Sequence, residues 1–222
     1  MRSELRGVGT GRRSQVLAPT TIGFESGRAT LARAETEQRP TVLGLLAAGR
    51  MRPGRGSVTI DGRADAAAIR RAIALVDAPG VSDPVPDVTV AGVAAEELMF
   101  AGIPSNPVSV SRWLDDLGLR DLARVPIANV DPGVRLRLLT ELAILRDGVE
   151  GLVLVSPDRH GGDPLEWWTL ARRLADRGFA VLVIAGDASA AAIGAAAMIA
   201  RMQGADGDEI AEHAALAGGG LA

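Results

Sequence analysis

The sequence contains no cysteine, no lysine and no tyrosine among its 222 residues. The first absence excludes disulfides and thiolate metal sites. Two histidines, His160 and His213, leave little material for a zinc site, and no metal is expected. The 24 basic residues are all arginine, so no site that depends on a lysine ammonium can be built from this chain. Aromatic residues make up only 3%, and none precedes Phe24. No field of one sign is present either, because the formal net charge of -3 gives no basic surface of the kind that gathers around nucleic acid. Long apolar runs are also missing. The most apolar stretch, Ala180 to Met202, is broken by Gly186, Asp187 and Gly194, which fits a strand and an Ala-rich helix better than a membrane span. The segment from Met1 to Arg13 is polar and arginine-rich, unlike a signal peptide. A cytoplasmic protein is expected, with peripheral docking at the inner face of the cell membrane left open.

What is present reads as one soluble domain. Hydrophobic residues make up 47% and charged residues 23%, enough for a substantial core. Four short apolar runs have the form of strands covered on both faces, namely Ala29–Ala32, Ile73–Val76, Leu152–Val155 and Ala180–Ile184. Helical patterns over Thr41–Ala48, Pro132–Arg146 and Pro164–Arg177 alternate with them, which predicts an α/β core with a mainly parallel sheet. Ser57–Ile60, followed by Asp61-Gly62, predicts a strand in an antiparallel flank, and Phe24 fits a strand leading into the core. From Val81 to about Arg124 the strands stop. Prolines at 84, 86, 104 and 107 punctuate helical patterns at Val90–Phe100 and Val110–Leu117, so residues 81–150 are expected to form a helical subdomain within a single domain spanning 1–222. Both termini are expected to be loose, with residues 217–222 a disordered tail. Arg12-Arg13, Arg70-Arg71 and His160 are read as solvated, and of Trp167 and Trp168 one ring is expected in the core.

In this order, the pieces resemble the ATP-binding subunits of ABC transporters. The run LGLLAAGRMRPGRGSVTIDG (Leu43–Gly62) resembles the helix, turn and strand that follow the family's phosphate loop. Ile73–Asp77 resembles the strand entering the Q-loop, and Val88–Val93 the start of the helical subdomain. Trp113–Leu119 and Pro132–Leu138 resemble the helices before and at the signature motif. Leu152–Pro164 takes the place of Walker B and the D-loop, and Ala180–Asp187 that of the switch-histidine strand. The resemblance implies a P-loop NTPase-like ABC ATPase fold. It rests on collinearity over nearly the whole chain, no single motif being strong.

The same alignment finds the chemistry missing. A phosphate loop, G-x-x-x-x-G-K-[ST], surrounds phosphates with backbone N–H groups, pairs them with its lysine and ligates Mg²⁺ through its hydroxyl. Here the run is Arg33 to Thr41. Arg33 and Gln38 stand at the glycines, Arg39 at the lysine and Pro40 at the hydroxyl, followed by Thr41. Glu35 and Glu37 add like charge. Ser156 and Pro157 occupy the Walker B carboxylate positions, and Asp158 is the one candidate to replace them. Val130–Val134 replaces the signature motif with Asp131 in place of its serine, Ala78 stands for the Q-loop glutamine and Gly186 for the switch histidine. The expectation is a pseudo-ATPase with no catalytic residues, no bound cofactor, and Gln38, Arg39, Pro40, Thr41, Ser156, Pro157 and Asp158 as vestigial positions. The resemblance implies an integral membrane permease as partner through the helical subdomain, and a homodimer or a heterodimer with a competent ABC ATPase. Two alternatives stay open: a divergent ATPase using Arg39 and Asp158, and a free-standing cytosolic protein-binding module.

Overall fold

The structure is a computed structural model that describes residues 1–11, 16–35 and 39–198. Two sheets carry it. In the first, β1 (Arg2–Thr10) lies between β2 (Leu17–Glu25) and β4 (Arg55–Ile60), paired antiparallel with both. In the second, β3 (Arg28–Arg33), β5 (Ile73–Val76), β6 (Gly151–Val155) and β7 (Ala180–Ala185) run parallel in the order β3-β7-β6-β5. The apolar runs at 73–76, 152–155 and 180–184 are buried throughout, as strands covered on both faces must be.

Side chains alternate across this parallel sheet and serve two cores. Leu152, Leu154, Val181 and Val183 face a core built with α3 (Val90–Phe100), α4 (Pro107–Asp116), α5 (Pro132–Ala143) and α6 (Pro164–Asp176). Val153, Val155, Leu182 and Ile184 face the other, closed by α1 (Pro40–Ala47), α2 (Ala66–Ala72) and the antiparallel sheet. Trp167 is fully in the first core, while Trp168 is half-buried against it. Phe24 is buried in the second.

Helix starts follow local chemistry. Asn106, Asp131 and Asp163 cap α4, α5 and α6 by accepting from backbone N–H groups, each with a proline at the first helical position. That is why α4 begins at Pro107, three residues before its apolar periodicity becomes readable. Residues 187–198 form a further helix after β7.

The N-terminus departs from expectation. Rather than being loose, β1 is the central strand of its sheet, and the Met1 amino group donates to Ser26 Oγ at 3.1 Å. Its alternation is hidden by two register shifts, between Leu5 and Val8 and between Val8 and Thr10, so only Leu5 and Val8 report the buried face. The expected tail at 217–222, the Arg12-Arg13 pair, Glu37 and Gln38 lie outside the described residues.

Candidate functional site

The carboxyl ends of β3, β5, β6 and β7 gather most of the positions singled out from the sequence. After β3, Ala34 continues the pairing by donating to the Ala185 carbonyl at 2.9 Å. Arg33 points into solvent, with Nε 3.7 Å from the Asp187 carboxylate. Glu35 turns across the sheet, and its Oε1 accepts from the backbone N–H of Asp187 at 2.6 Å. Arg39, just before α1, is an exposed residue at φ 51° whose side chain does not cap that helix. Pro40 opens that helix, and Thr41 follows half-buried. β3 and α1 flank this segment as expected, and of its described side chains Glu35 bonds the Asp187 backbone while Arg33 faces the Asp187 carboxylate.

After β6 the backbone turns at Ser156, φ 48°, into a single 3₁₀ turn over Pro157–His160. Pro157 is buried, and Asp158 does not continue the strand direction. Its Oδ2 accepts from the Gly186 N–H at 2.8 Å and from Ser189 Oγ at 3.1 Å. Two carboxylates from opposite sides therefore converge on the first amides of helix 187–198, where a helix start favours negative charge. A Cβ at Gly186 would lie 2.8 Å from Glu35 Oε1 and 3.2 Å from Asp158 Oδ2. A side chain at this position would have to displace both carboxylates. At the start of α5, Asp131 Oδ1 accepts from Gly133 and Val134 N–H at 2.9 and 3.1 Å. Here too, a carboxylate of the chain takes up the amides that open a helix.

The most heavily bonded group was not foreseen. Asp77, at the end of β5, is buried with φ 55°. Its carboxylate accepts from Arg135 Nη2 at 2.7 Å and Nε at 3.3 Å, and from Arg159 Nη2 at 3.0 Å. His160 Nε2 lies 3.0 Å from its second oxygen. Arg135 is itself buried and also donates to the Ile127 carbonyl at 3.3 Å. Ala78, at the Q-loop position, is fully buried in the turn that follows. A lone Asp after an apolar strand reads as a turn residue, and an Arg in a helical pattern reads as its solvated face. The only available signal was that Arg135 falls between apolar residues at helical spacing with Leu138, Leu139 and Leu142.

His160 is exposed in its turn, as expected, but its ring also faces the carboxylate of Asp77 and the guanidinium of Arg159. One nitrogen, Nε2, faces both Asp77 and Arg159 Nε, the latter at 2.8 Å. It donates to Asp77 in one tautomer or accepts from Arg159 in the other, never both. Burial lowers the affinity of His160 for its second proton. Asp77 opposes this, while Arg135 and Arg159 reinforce it. The unfolded chain, with its histidine near the ordinary 6.5, therefore binds more protons than the folded chain just below that pH. Stability conferred here is complete above pH 6.5 and is lost as pH falls through the window beneath it. His160→Gln should flatten this acid-side slope, measured as urea midpoints from neutral pH down to about pH 5.

No family model and no curated protein matches this sequence. Solved structures do. The ATP-binding subunit of an ABC transporter superposes at TM-score 0.56 and 19% identity, over 84% of this chain and 80% of that one. An ATP-binding protein assigned to an ABC transporter in Pyrococcus furiosus superposes at 0.59 and 15%, over 84% and 92%. CbiO1 from Clostridium perfringens, part of the ABC transporter complex cbiONQ, gives 0.59 and 15%, over 83% and 77%. The chain has the fold of ABC transporter ATP-binding subunits, a mixed α/β fold with one parallel and one antiparallel sheet.

Proposed function

We infer that the chain is a non-hydrolysing ABC-type subunit that serves as a structural or regulatory partner of a membrane permease. The observation that carries the first half is the pair of carboxylates on helix 187–198. Glu35 and Asp158 accept from Asp187 N–H, Gly186 N–H and Ser189 Oγ, placing negative charge beside Gly186, at the switch-histidine position. Asp131 does the same at α5. With no lysine and with Pro40 in place of a hydroxyl, the residues present do not fit a phosphate–Mg²⁺ group. Isothermal calorimetry with Mg-ATP at millimolar concentration should show no binding, and thermal unfolding should not shift, because only ligands of the native state stabilise it. A dissociation constant in the micromolar range would return the reading to a divergent ATPase built on Arg39 and Asp158.

The second half rests on the surface of the helices between β5 and β6. Leu98 and Val110 are buried, but Val81, Val85, Met99, Phe100 and Val108 stay exposed, at 49% to 67%. Val81 and Phe100 line one cleft, and exposed apolar side chains grouped in this way mark interfaces. No helix among the described residues is long and apolar enough to cross a membrane, so contact with a permease would be made through such a surface. Phe100→Asp with Val81→Asp should abolish copurification with an integral membrane partner while leaving the unfolding free energy within about 0.5 kcal/mol of wild type. Retention of the partner by this double variant would refute the docking surface.

A further inference from the structure

Between Glu37 and Asp61 the chain carries no acidic residue, yet it has four arginines, Arg39, Arg50, Arg52 and Arg55. Arg50 and Arg52 stand in the turn after α1, and Arg55 opens β4. Helix α2 adds Arg70, whose Nη1 donates to the Gly49 carbonyl at 3.1 Å. The same helix is seated closely on the turn, since a Cβ at Gly49 would lie 2.9 Å from Ile69 Cγ2. Between helix and turn opens a cleft of about 240 Å³, with Met51, Arg52, Pro53, Val58, Ala66 and Ile69 in its lining. Among the described residues, no carboxylate lines it.

Not every arginine of this region adds to the face. Arg50 lines the cleft of Val81 and Phe100 together with Asp77, Asp83, Glu96 and Glu97. Arg63 and Arg71 share a depression with Asp61, Asp65, Asp147 and Glu150. In both places acids of the chain answer the positive charge. Arg52, Arg55 and Arg70 are exposed, and among the described residues none of them forms an ion pair. Asp65 lies within the field of Arg70, but its carboxylate is taken up by the Ala67 and Ala68 amides that open α2.

We propose that the face formed by Arg52, Arg55 and Arg70 rests on the headgroup layer of an anionic phospholipid bilayer, with Met51 and Pro53 at the contact. None of the three guanidiniums is buried, so the face has no enclosed pocket for one small anion. Exposed arginines set among half-buried apolar side chains match an interfacial layer that is charged outside and apolar beneath. A nucleic acid supplies the charge without the apolar layer. This goes beyond the permease reading and does not depend on it.

The test is cosedimentation of the full chain with lipid vesicles. Vesicles of phosphatidylcholine mixed with phosphatidylglycerol should bind it, and phosphatidylcholine alone should not. Salt at about 1 M, which screens charge beyond roughly 3 Å, should release it. Arg52→Gln and Arg55→Gln, which break no bond of the fold, should each lower the partition coefficient about fivefold, the share of one arginine at an anionic leaflet. Arg172→Gln makes the same change of net charge on an exposed residue of α6 and should leave partitioning unchanged. Absence of binding to the phosphatidylglycerol vesicles, or an equal loss with Arg172→Gln, overturns the proposal. Calorimetry that shows inorganic phosphate bound in an Arg52-dependent way, without vesicle binding, overturns the bilayer in favour of a free anion. Because the vesicles carry no protein, either failure leaves the permease reading standing.

Discussion

Replacing Asp77 with Asn should lower stability by about 3–5 kcal/mol, the loss typical when one partner of a buried ion pair is removed. The substitution keeps the size of the side chain and removes only its charge. Arg135, 5% exposed, is then left as a buried cation with only neutral acceptors, the new amide oxygen and the Ile127 carbonyl. Arg159, whose Nη1 is already buried without a partner, loses the closer of its two ion pairs. Isolated surface ion pairs are worth about 0–1 kcal/mol, so Asp115→Asn, which breaks an exposed pair with Arg120, should leave stability nearly unchanged. For a chain of this size the Asp77 loss corresponds to roughly 2–4 °C in melting temperature for each kcal/mol, so a fall of order 10 °C is expected in calorimetry. A loss under about 1 kcal/mol would show that water reaches the cluster and that its burial does not govern its energetics.

The second large effect is expected at Gly44, in the middle of α1. A Cβ there would lie 2.6 Å from Val155 Cγ2 and 3.2 Å from Leu75 Cδ1, so the helix rests directly on the parallel sheet. Gly44→Val gains a few tenths of a kcal/mol in helix propensity. Against this stand about 1–3 kcal/mol of overpacking, since Val155 is a β-branched residue fixed in a central strand and cannot swing aside. Packing wins, and denaturant midpoints should fall accordingly. An unchanged midpoint would mean that α1 is free to lift from β6.

These two positions also mark what the sequence discloses and what it hides. The parallel strands were legible because each is buried on both faces and reads as an unbroken apolar run, as at Leu152–Val155. The helices were legible where apolar residues recur at helical spacing, as in α5. The short helix α2 was not, since only Ile69 gives it a large apolar residue among alanines and arginines. Nor was β1, whose bulges interrupt its alternation. In the site, the altered residues at Arg39, Pro40, Ser156 and Gly186 could be named from their order along the chain. What replaces them could not, because Glu35 meets Asp187 across 152 positions, Asp158 meets Gly186 across 28 and Asp77 meets Arg135 across 58. Local pattern carries backbone periodicity. Pairing between distant charged side chains depends on the closed fold.

The Asp77 cluster has a bearing on how the molecule breathes. Its donors reach it from α5 and from the turn after β6, segments 58 and 82 positions away. Helices α3 and α4 are strung between Asp77 and Arg135 along the chain. For the helical layer to lift off, a carboxylate and two guanidiniums must part inside a poorly hydrated interior, a cost approaching that of unfolding itself. Sub-global opening of this layer is thereby merged with global unfolding, and the sheet and its helices form one cooperative unit rather than two foldons. A plate so clamped moves as one body and does not flex.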